Sequence, residues 1–527
     1  MSQTPSCAVA SCTSAASLWA ADRAHAVLVQ VLRLLPADVR ARAACVCRAW
    51  KDAAAEPSLW QTLCFDDGFS LPLSDATLTR LCARAGAALH ELRLDAPACA
   101  AVTAAGVLAA LRAGGCAGVR RLTLATPDLS VYENHFLSAE EVQQLAAACP
   151  ALEHAACCVC CEHPDDVVAA CALPSGPLML FVHNRLDAAR AVLRLPARVA
   201  VLVLNSCWWY NEDVLSEQQV ATLCEALCTS VTLTSLSLRG TDLCDTGAIA
   251  LGEAIRANTS LTTLDLDSTR ICDAGAVALS DALRTNETLT SLLLDDNFIG
   301  DTGAAAFGDA LKTNATLKSL LLGGPDIGDA GADALAGMLR TNVTLTTLKL
   351  DDGCFRAAGA ASLGDAVRVN AVLTTLQLRC IPDCNASAIA LGEALRTNAS
   401  LTTLALIALE INDTGAIALA EALRTNVTLT ALDLDSNEVG DAGAAALGEM
   451  LKTNTTLATL SLLDSEIDTA GASALGEALH ANTTLTLLAV CSHLLGYEGA
   501  AAMGAQRPTN YTMLTTKLWQ NGTLSFV

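Results

Sequence analysis

The sequence predicts an α/β solenoid, a horseshoe with a parallel inner sheet and outer helices, preceded by a small block of three short helices. Three observations carry this. Leucines recur every 28 residues at Leu233, Leu261, Leu289, Leu317, Leu345, Leu373, Leu401, Leu429, Leu457 and Leu485, without insertion or deletion. Each step holds a strand-like half and a helix-like half. The composition is 52% hydrophobic but only 3% aromatic over 527 residues, which suits many thin aliphatic layers better than one thick core.

The first half of each unit reads L-x-x-L-x-L, as in Leu261-Thr-Thr-Leu264-Asp-Leu266. Its last three residues alternate apolar, polar, apolar, the period of a short strand with one buried face. The second half reads like Asp413-Thr-Gly415-Ala416-Ile-Ala418-Leu419-Ala420-Glu-Ala-Leu423-Arg-Thr-Asn426. Ala416, Leu419, Ala420 and Leu423 fall on one helical stripe. Asp413 is expected to cap its helix, and Asn426 to stand where the chain leaves it. One unit cannot bury both faces, whereas stacked neighbours can. Helices are wider than strands, so the stack curves with its strands inside.

This unit resembles the ribonuclease-inhibitor class of leucine-rich repeat, also found in the sensor domains of NOD-like receptors. The resemblance spans the ten regular repeats of residues 231–511, and implies a protein-binding surface. Residues 512–527 are expected to cap the array. Between 67 and 230 the pattern is irregular, with strand-like pieces at Leu89–Leu94, Val119–Leu124 and Val199–Leu204. Degenerate repeats continuing the solenoid explain it, and a separate small domain is the alternative. Residues 1–24 are expected to be flexible.

Residues 25–66 have another texture. An apolar helix carrying Leu28, Val31, Leu32 and Leu35 stops near Pro36. A second begins after Asp38 and ends around Trp50, with Val46 and Cys47 on it. Pro57 opens a third, with Leu59 and Trp60. The segments Val46-Cys47-Arg-Ala-Trp50 and Pro57-Ser-Leu59-Trp60 resemble an F-box, the motif by which ubiquitin-ligase receptors dock on the Skp adaptor of cullin–RING complexes. The resemblance implies that Leu28, Val31, Leu32, Leu35, Pro36, Val46, Cys47, Trp50, Pro57, Leu59 and Trp60 serve adaptor binding. A Leu-Pro pair usually opens such a motif, and here residues 20–26 read Ala-Ala-Asp-Arg-Ala-His-Ala. That departure bears on adaptor affinity more than on local fold. The competing reading is a plain helical cap over the first layer of the solenoid.

The net charge of −23 disfavours nucleic acid and anionic membrane surfaces as partners. No Lys or Arg precedes Arg23, so the basic start of a signal peptide is missing. A cytoplasmic or nuclear location is expected, with the 23 cysteines reduced. The apolar stretch from Ala96 to Leu111 reads as a buried helix.

His154, Cys157, Cys158, Cys160, Cys161 and His163 tempt a zinc reading, but lack a second Cys pair at zinc-finger distance. Buried strand cysteines explain them, and no metal or cofactor is expected. Eight sequons (Asn258, Asn286, Asn314, Asn342, Asn398, Asn426, Asn454 and Asn482) are one loop position copied at the repeat spacing. Cys64-Phe-Asp66 matches the C-x-D spacing of a bacterial ligase class, without a catalytic domain around it. No P-loop, G-x-S-x-G or H-E-x-x-H occurs, and no enzymatic activity is expected.

Residues between and after the framework leucines should face the concave surface. Asp265, Asp267, Leu293, Asp295, Leu321, Lys349, Asp351, Gln377, Arg379, Asp433 and Asp435 are the candidate partner contacts. Acidic ridges beside an apolar patch suit a protein partner bearing basic residues. Surface aspartates that merely keep the solenoid soluble are the alternative. Together with the F-box resemblance, this implies the substrate-recognition subunit of an SCF-type cullin–RING ubiquitin ligase, with Skp adaptor, cullin and a protein substrate as partners. A stand-alone inhibitor or scaffold is the other reading.

Overall fold

A computed structural model describes residue 56 and residues 59–64, 73–94, 102–124, 137–156, 158–161, 178–183, 199–205, 217–381, 385–491, 512–515, 518–520 and 523–525. The chain divides into two compact units, Met1–Leu202 and Val203–Val527. The candidate adaptor residues Leu28, Val31, Leu32, Leu35, Pro36, Val46, Cys47, Trp50 and Pro57 lie outside the described residues.

The first unit holds a four-stranded parallel sheet of Thr62–Cys64, Glu91–Arg93, Arg121–Thr123 and His154–Ala156, in that order. Leu63, Leu92 and Leu122 are in register and fully buried. Helices Asp75–Ala85, Ala104–Gly114 and Ala139–Ala148 alternate with the strands. Each starts at a hydroxyl cap: Ser74 accepts from the Thr77 amide, Thr103 from Gly106, and Ser138 forms a reciprocal capping box with Glu141. The first of these repeats begins earlier than the expected 66/67 boundary, because Thr62–Cys64 already pairs with Glu91–Arg93. Cys158–Cys161 pairs with Leu178–His183 in parallel. The strand expected near residues 199–204 is present at Val199–Asn205.

The second unit repeats strand and helix with the predicted step. Strands from Ser235–Ser237 to Leu487–Cys491 pair in parallel with neighbours 28 residues away, so that Leu348 meets both Leu320 and Leu376. Thr512–Thr515 adds one further parallel strand, so the sheet runs past the expected boundary at residue 511. Helix Glu217–Thr229 packs on helix Cys244–Ala257, and the Asn258 side chain donates to the carbonyl of Leu227 at 2.7 Å. The ordered array therefore also starts before the expected residue 231.

The helical stripe is as read: Ala416, Leu419, Ala420 and Leu423 are all buried. Burying one such leucine contributes about 1.5–3 kcal/mol, and the pattern repeats in every layer. Asp413 does not cap its own helix. It is the first helical residue, and Asn412 caps, accepting from the Thr414 amide at 3.0 Å. The first helical side chain reaches sideways, so Asp413 Oδ1 instead accepts from Gly440 and Gly443 of the following repeat, at 2.9 and 2.8 Å. Asp245, Asp273, Asp301, Asp329 and Asp441 do the same.

The sequon asparagines are interior ties. Asn426 donates to the carbonyls of Leu395 and Asn398, and its Oδ1 accepts from Thr428 and Leu429. All eight are buried. Cysteine has the corresponding task in the first unit, where Cys116 donates to the Cys82 carbonyl and Cys149 to that of Cys116. Among the described residues no helix is long and apolar enough to cross a membrane, and no three His, Cys, Asp or Glu side chains converge as a metal site.

Candidate functional site

The sheet face turned away from the helices in the second unit collects the sequence-predicted partner residues. Along Thr347–Asp351 and Thr375–Arg379 burial alternates, with the leucines inside and Lys349, Gln377 and Arg379 half-exposed. Strands about 4.8 Å apart place residues 28 positions apart side by side.

The charges on this face do not balance. On the helix side, exposed acid–base pairs repeat three residues apart: Asp281 with Arg284, Asp309 with Lys312, Asp365 with Arg368 and Glu449 with Lys452. Each contributes little to stability, and each offsets only its own charge. The sheet face carries Asp265, Asp267, Asp295, Asp351, Asp433 and Asp435 against Arg239, Lys349 and Arg379.

Several of these acids are more enclosed than a free ridge would be. Asp265, Asp267 and Asp351 are buried, because side chains on adjacent strands shade them and the following turn binds them. The expectation that these three stand exposed is corrected accordingly. Asp267 Oδ1 accepts the Asp295 amide at 2.8 Å, and Arg239 lies 3.5 Å from Oδ2. Burial, reinforced by the neighbouring Asp265 charge, pushes Asp267 up to about 7. Asp433 is pushed up to about 6, by burial first and then by Asp435. Asp435 accepts from Ser461 Oγ and from the Leu463 amide. Asp295, Leu293, Leu321, Asp433 and Asp435 are half-buried.

The middle of the face holds a cluster that spans four strands. Arg379 Nε donates to Asp351 at 3.1 Å, and its Nη2 reaches Asp295 at 3.2 Å, 84 residues back. Gln377 also donates to Asp351 Oδ1 at 3.3 Å. Between the two aspartates stands Gly323, which offers no side chain. A Cβ there would collide with Asp295 Oδ1, so the absence of a side chain is what lets the carboxylate lie where it does. Burial raises Asp295 and Asp351, and the Arg379 charge opposes that rise. The sequence reading named these residues but missed their linkage. The signal was Gly323, the only glycine in the column Arg239, Asp267, Asp295, Gly323, Asp351, Arg379.

In the first unit, Leu59 and Trp60 are 2% and 1% exposed. Arg84 stacks over the Trp60 ring with its guanidinium carbon 5.0 Å from the centroid. These side chains are buried in the core of the first unit, next to the strand Thr62–Cys64.

Comparisons with known proteins bear on both parts. A family model described as F-box-like matches residues 25–66. A leucine-rich-repeat model matches residues 229–252, 257–280, 285–308, 313–336 and 425–448. A curated protein, F-box protein SNE of Arabidopsis thaliana, is 49% identical over 41 residues, 8% of this chain and 26% of that protein. The chain thus spans about a quarter of the length of that relative. Among solved structures, leiomodin-1 actin-binding site 2 is 28% identical with a TM-score of 0.24, covering 26% of this chain and 79% of that one.

Proposed function

From a chain that carries an F-box-like domain near its N-terminus and leucine-rich repeats behind it, we propose a substrate-recognition subunit of an SCF-type cullin–RING ubiquitin ligase. The observation that carries the reading is the F-box-like match at residues 25–66, with leucine-rich-repeat matches from residue 229 onward in the same chain. Within residues 25–66, Leu28, Val31, Leu32, Leu35, Pro36, Val46, Cys47 and Trp50 dock on a Skp adaptor that is itself held by a cullin. The sheet face of the second unit binds a protein substrate with basic residues, whose charge complements Asp295, Asp351, Asp433 and Asp435. The chain performs no chemistry itself. It raises the substrate's effective concentration beside a bound conjugating enzyme, in the cytosol or nucleus.

The test is affinity purification of the full chain from cell lysate, with Trp50 intact or changed to Ala. The Skp adaptor and a cullin should co-purify with the intact chain and be reduced with Trp50→Ala. Their absence from the intact chain would sink the ligase reading. Burial of Leu59 and Trp60 favours a second reading, in which the helical block caps the array of a stand-alone binding protein.

A further inference from the structure

We propose that Lys318 is a self-modification site, the lysine of this chain that accepts ubiquitin when the chain serves as a ligase receptor. The inference rests on the ligase reading above and names a regulated residue within it.

A receptor held beside a ubiquitin thioester offers its own amines at high effective concentration, in competition with those of its substrate. This chain offers few. Only six of its 32 Lys and Arg residues are lysines, namely Lys51, Lys312, Lys318, Lys349, Lys452 and Lys517, and residues 52–311 contain none. Arginine supplies the positive charge elsewhere, and a guanidinium stays protonated and is no acceptor.

The six are not equivalent. Lys51 follows Trp50, which the ligase reading sets against the adaptor, and both Lys51 and Lys517 lie outside the described residues. Lys312 and Lys452 stand at the ends of helices, held by Asp309 at 2.7 Å and by Glu449 at 2.6 Å. An amine attacks only in its neutral form, and such pairing keeps it an ammonium. The hydrogen bond from Lys452 to Glu449 raises Lys452 above the usual lysine range. Lys349 is half-buried on the sheet face, where a bound substrate covers it. Lys318 is exposed just before strand Ser319–Gly323, and among the described residues no acid pairs with it.

Its place in the repeat carries a second sign. At the same position Thr262, Thr290, Thr346, Thr374, Thr402 and Thr430 each donate a hydroxyl to a carbonyl of the preceding layer. Lys318 gives up that hydroxyl, as does Ala458, so the array gains nothing from an amine there.

The step is acyl transfer. The neutral Lys318 Nζ attacks the C-terminal carbonyl carbon of ubiquitin, carried as a thioester on the conjugating enzyme's cysteine. A C–N isopeptide bond forms, the C–S bond breaks, and the proton lost by nitrogen returns to the departing thiolate.

The test reconstitutes the full chain with adaptor, cullin–RING assembly, activating and conjugating enzymes, ubiquitin and ATP, without substrate. Modified lysines are read by mass spectrometry as the Gly-Gly remnant that trypsin leaves. Lys318 should carry the remnant. Lys318→Arg, which keeps the charge, should lose most of the modified fraction, while Lys452→Arg keeps it. A chain assembled with adaptor and cullin that carries the remnant chiefly at another lysine, or stays unmodified, overturns the inference and leaves the ligase reading standing. A chain that never assembles with them overturns both. Acylation by an acetyl N-hydroxysuccinimide ester at neutral pH, with no ligase component present, should label Lys318 ahead of Lys312 and Lys452. Equal or slower labelling of Lys318 removes its distinction from the paired lysines and overturns the choice of acceptor.

Discussion

The carboxylate of Asp413 serves the helix after its own, accepting the Gly443 amide at 2.8 Å across thirty residues of chain. A helix leaves its first amides without internal partners. In this array each aspartate that begins one helix satisfies them in the next, so capping becomes a bond between layers. A Cβ on Gly443 would stand 2.8 Å from that same oxygen and 2.9 Å from Ala416 Cβ, which is why the pattern couples Asp to Gly at this distance.

Asp413→Ala should cost about 1–3 kcal/mol, because two amides at the Gly440 and Gly443 positions lose their acceptor. Asp413→Asn keeps a side-chain oxygen and should cost less. Urea melts of the three chains give the comparison, and equal midpoints would contradict the interlayer cap.

Asn426→Asp should destabilise more than a typical surface change of about 0.5 kcal/mol. It keeps an acceptor for the amides of Thr428 and Leu429 but sets a buried carboxylate against the carbonyls of Leu395 and Asn398. Thermal melting at neutral pH should register the loss, while the exposed change Val427→Thr should leave the midpoint in place.

Asp267 links stability to pH. Its ordinary value of 3.8 rises to about 7 in the fold, so the native chain holds a proton that the unfolded chain has released. Its contribution to stability is therefore full below pH 4 and is lost as pH rises through 7. Asp267→Asn retains an oxygen for the Asp295 amide and removes the titration. Melting temperatures from pH 5.5 to 8 should fall less steeply for the variant, and near pH 8 it should be the more stable. Parallel curves would refute the assignment.

Gly323→Ala should cost about 1–3 kcal/mol through overpacking, since the new methyl meets Asp295 Oδ1 and the Asp296 amide. Gly337→Ala is the matched control, because a Cβ there meets nothing within 4 Å and the position is helical. That control should be neutral or stabilising in the same calorimetric scan.

Trp60→Ala should destabilise the first unit by about 3–5 kcal/mol, as a fully buried indole leaves a cavity. Limited proteolysis should then cut earlier within residues 59–124 than in the second unit. Resistance equal to the wild type would place Trp60 outside the core.

The repeat itself was legible because its signals are local and copied. Leucines at 28-residue steps, Gly415 at the front of a helix and Asn426 at its end each state a requirement of their own unit. The limits of the array were harder to read. Thr62–Cys64 and Thr512–Thr515 join sheets although their sequences lack the leucine triplet, since a strand at the end of a stack is recruited by the neighbour's unpaired amides and carbonyls.

Residue periodicity by itself determined which side chains are core, which lie on the sheet face and that the layers stack in parallel. It also determined that Asp265, Asp295, Asp351 and Asp433 share one surface. What those acids do there was decided only by tertiary structure. Whether a carboxylate faces water, accepts the next strand's amide or holds an arginine from three repeats away depends on neighbours that no single unit contains. Asp413 and Gly443 illustrate the same division. Both residues were visible as part of a repeat, but the bond that joins them exists only once one layer lies against the next, where the amides of a helix start have no water to turn to.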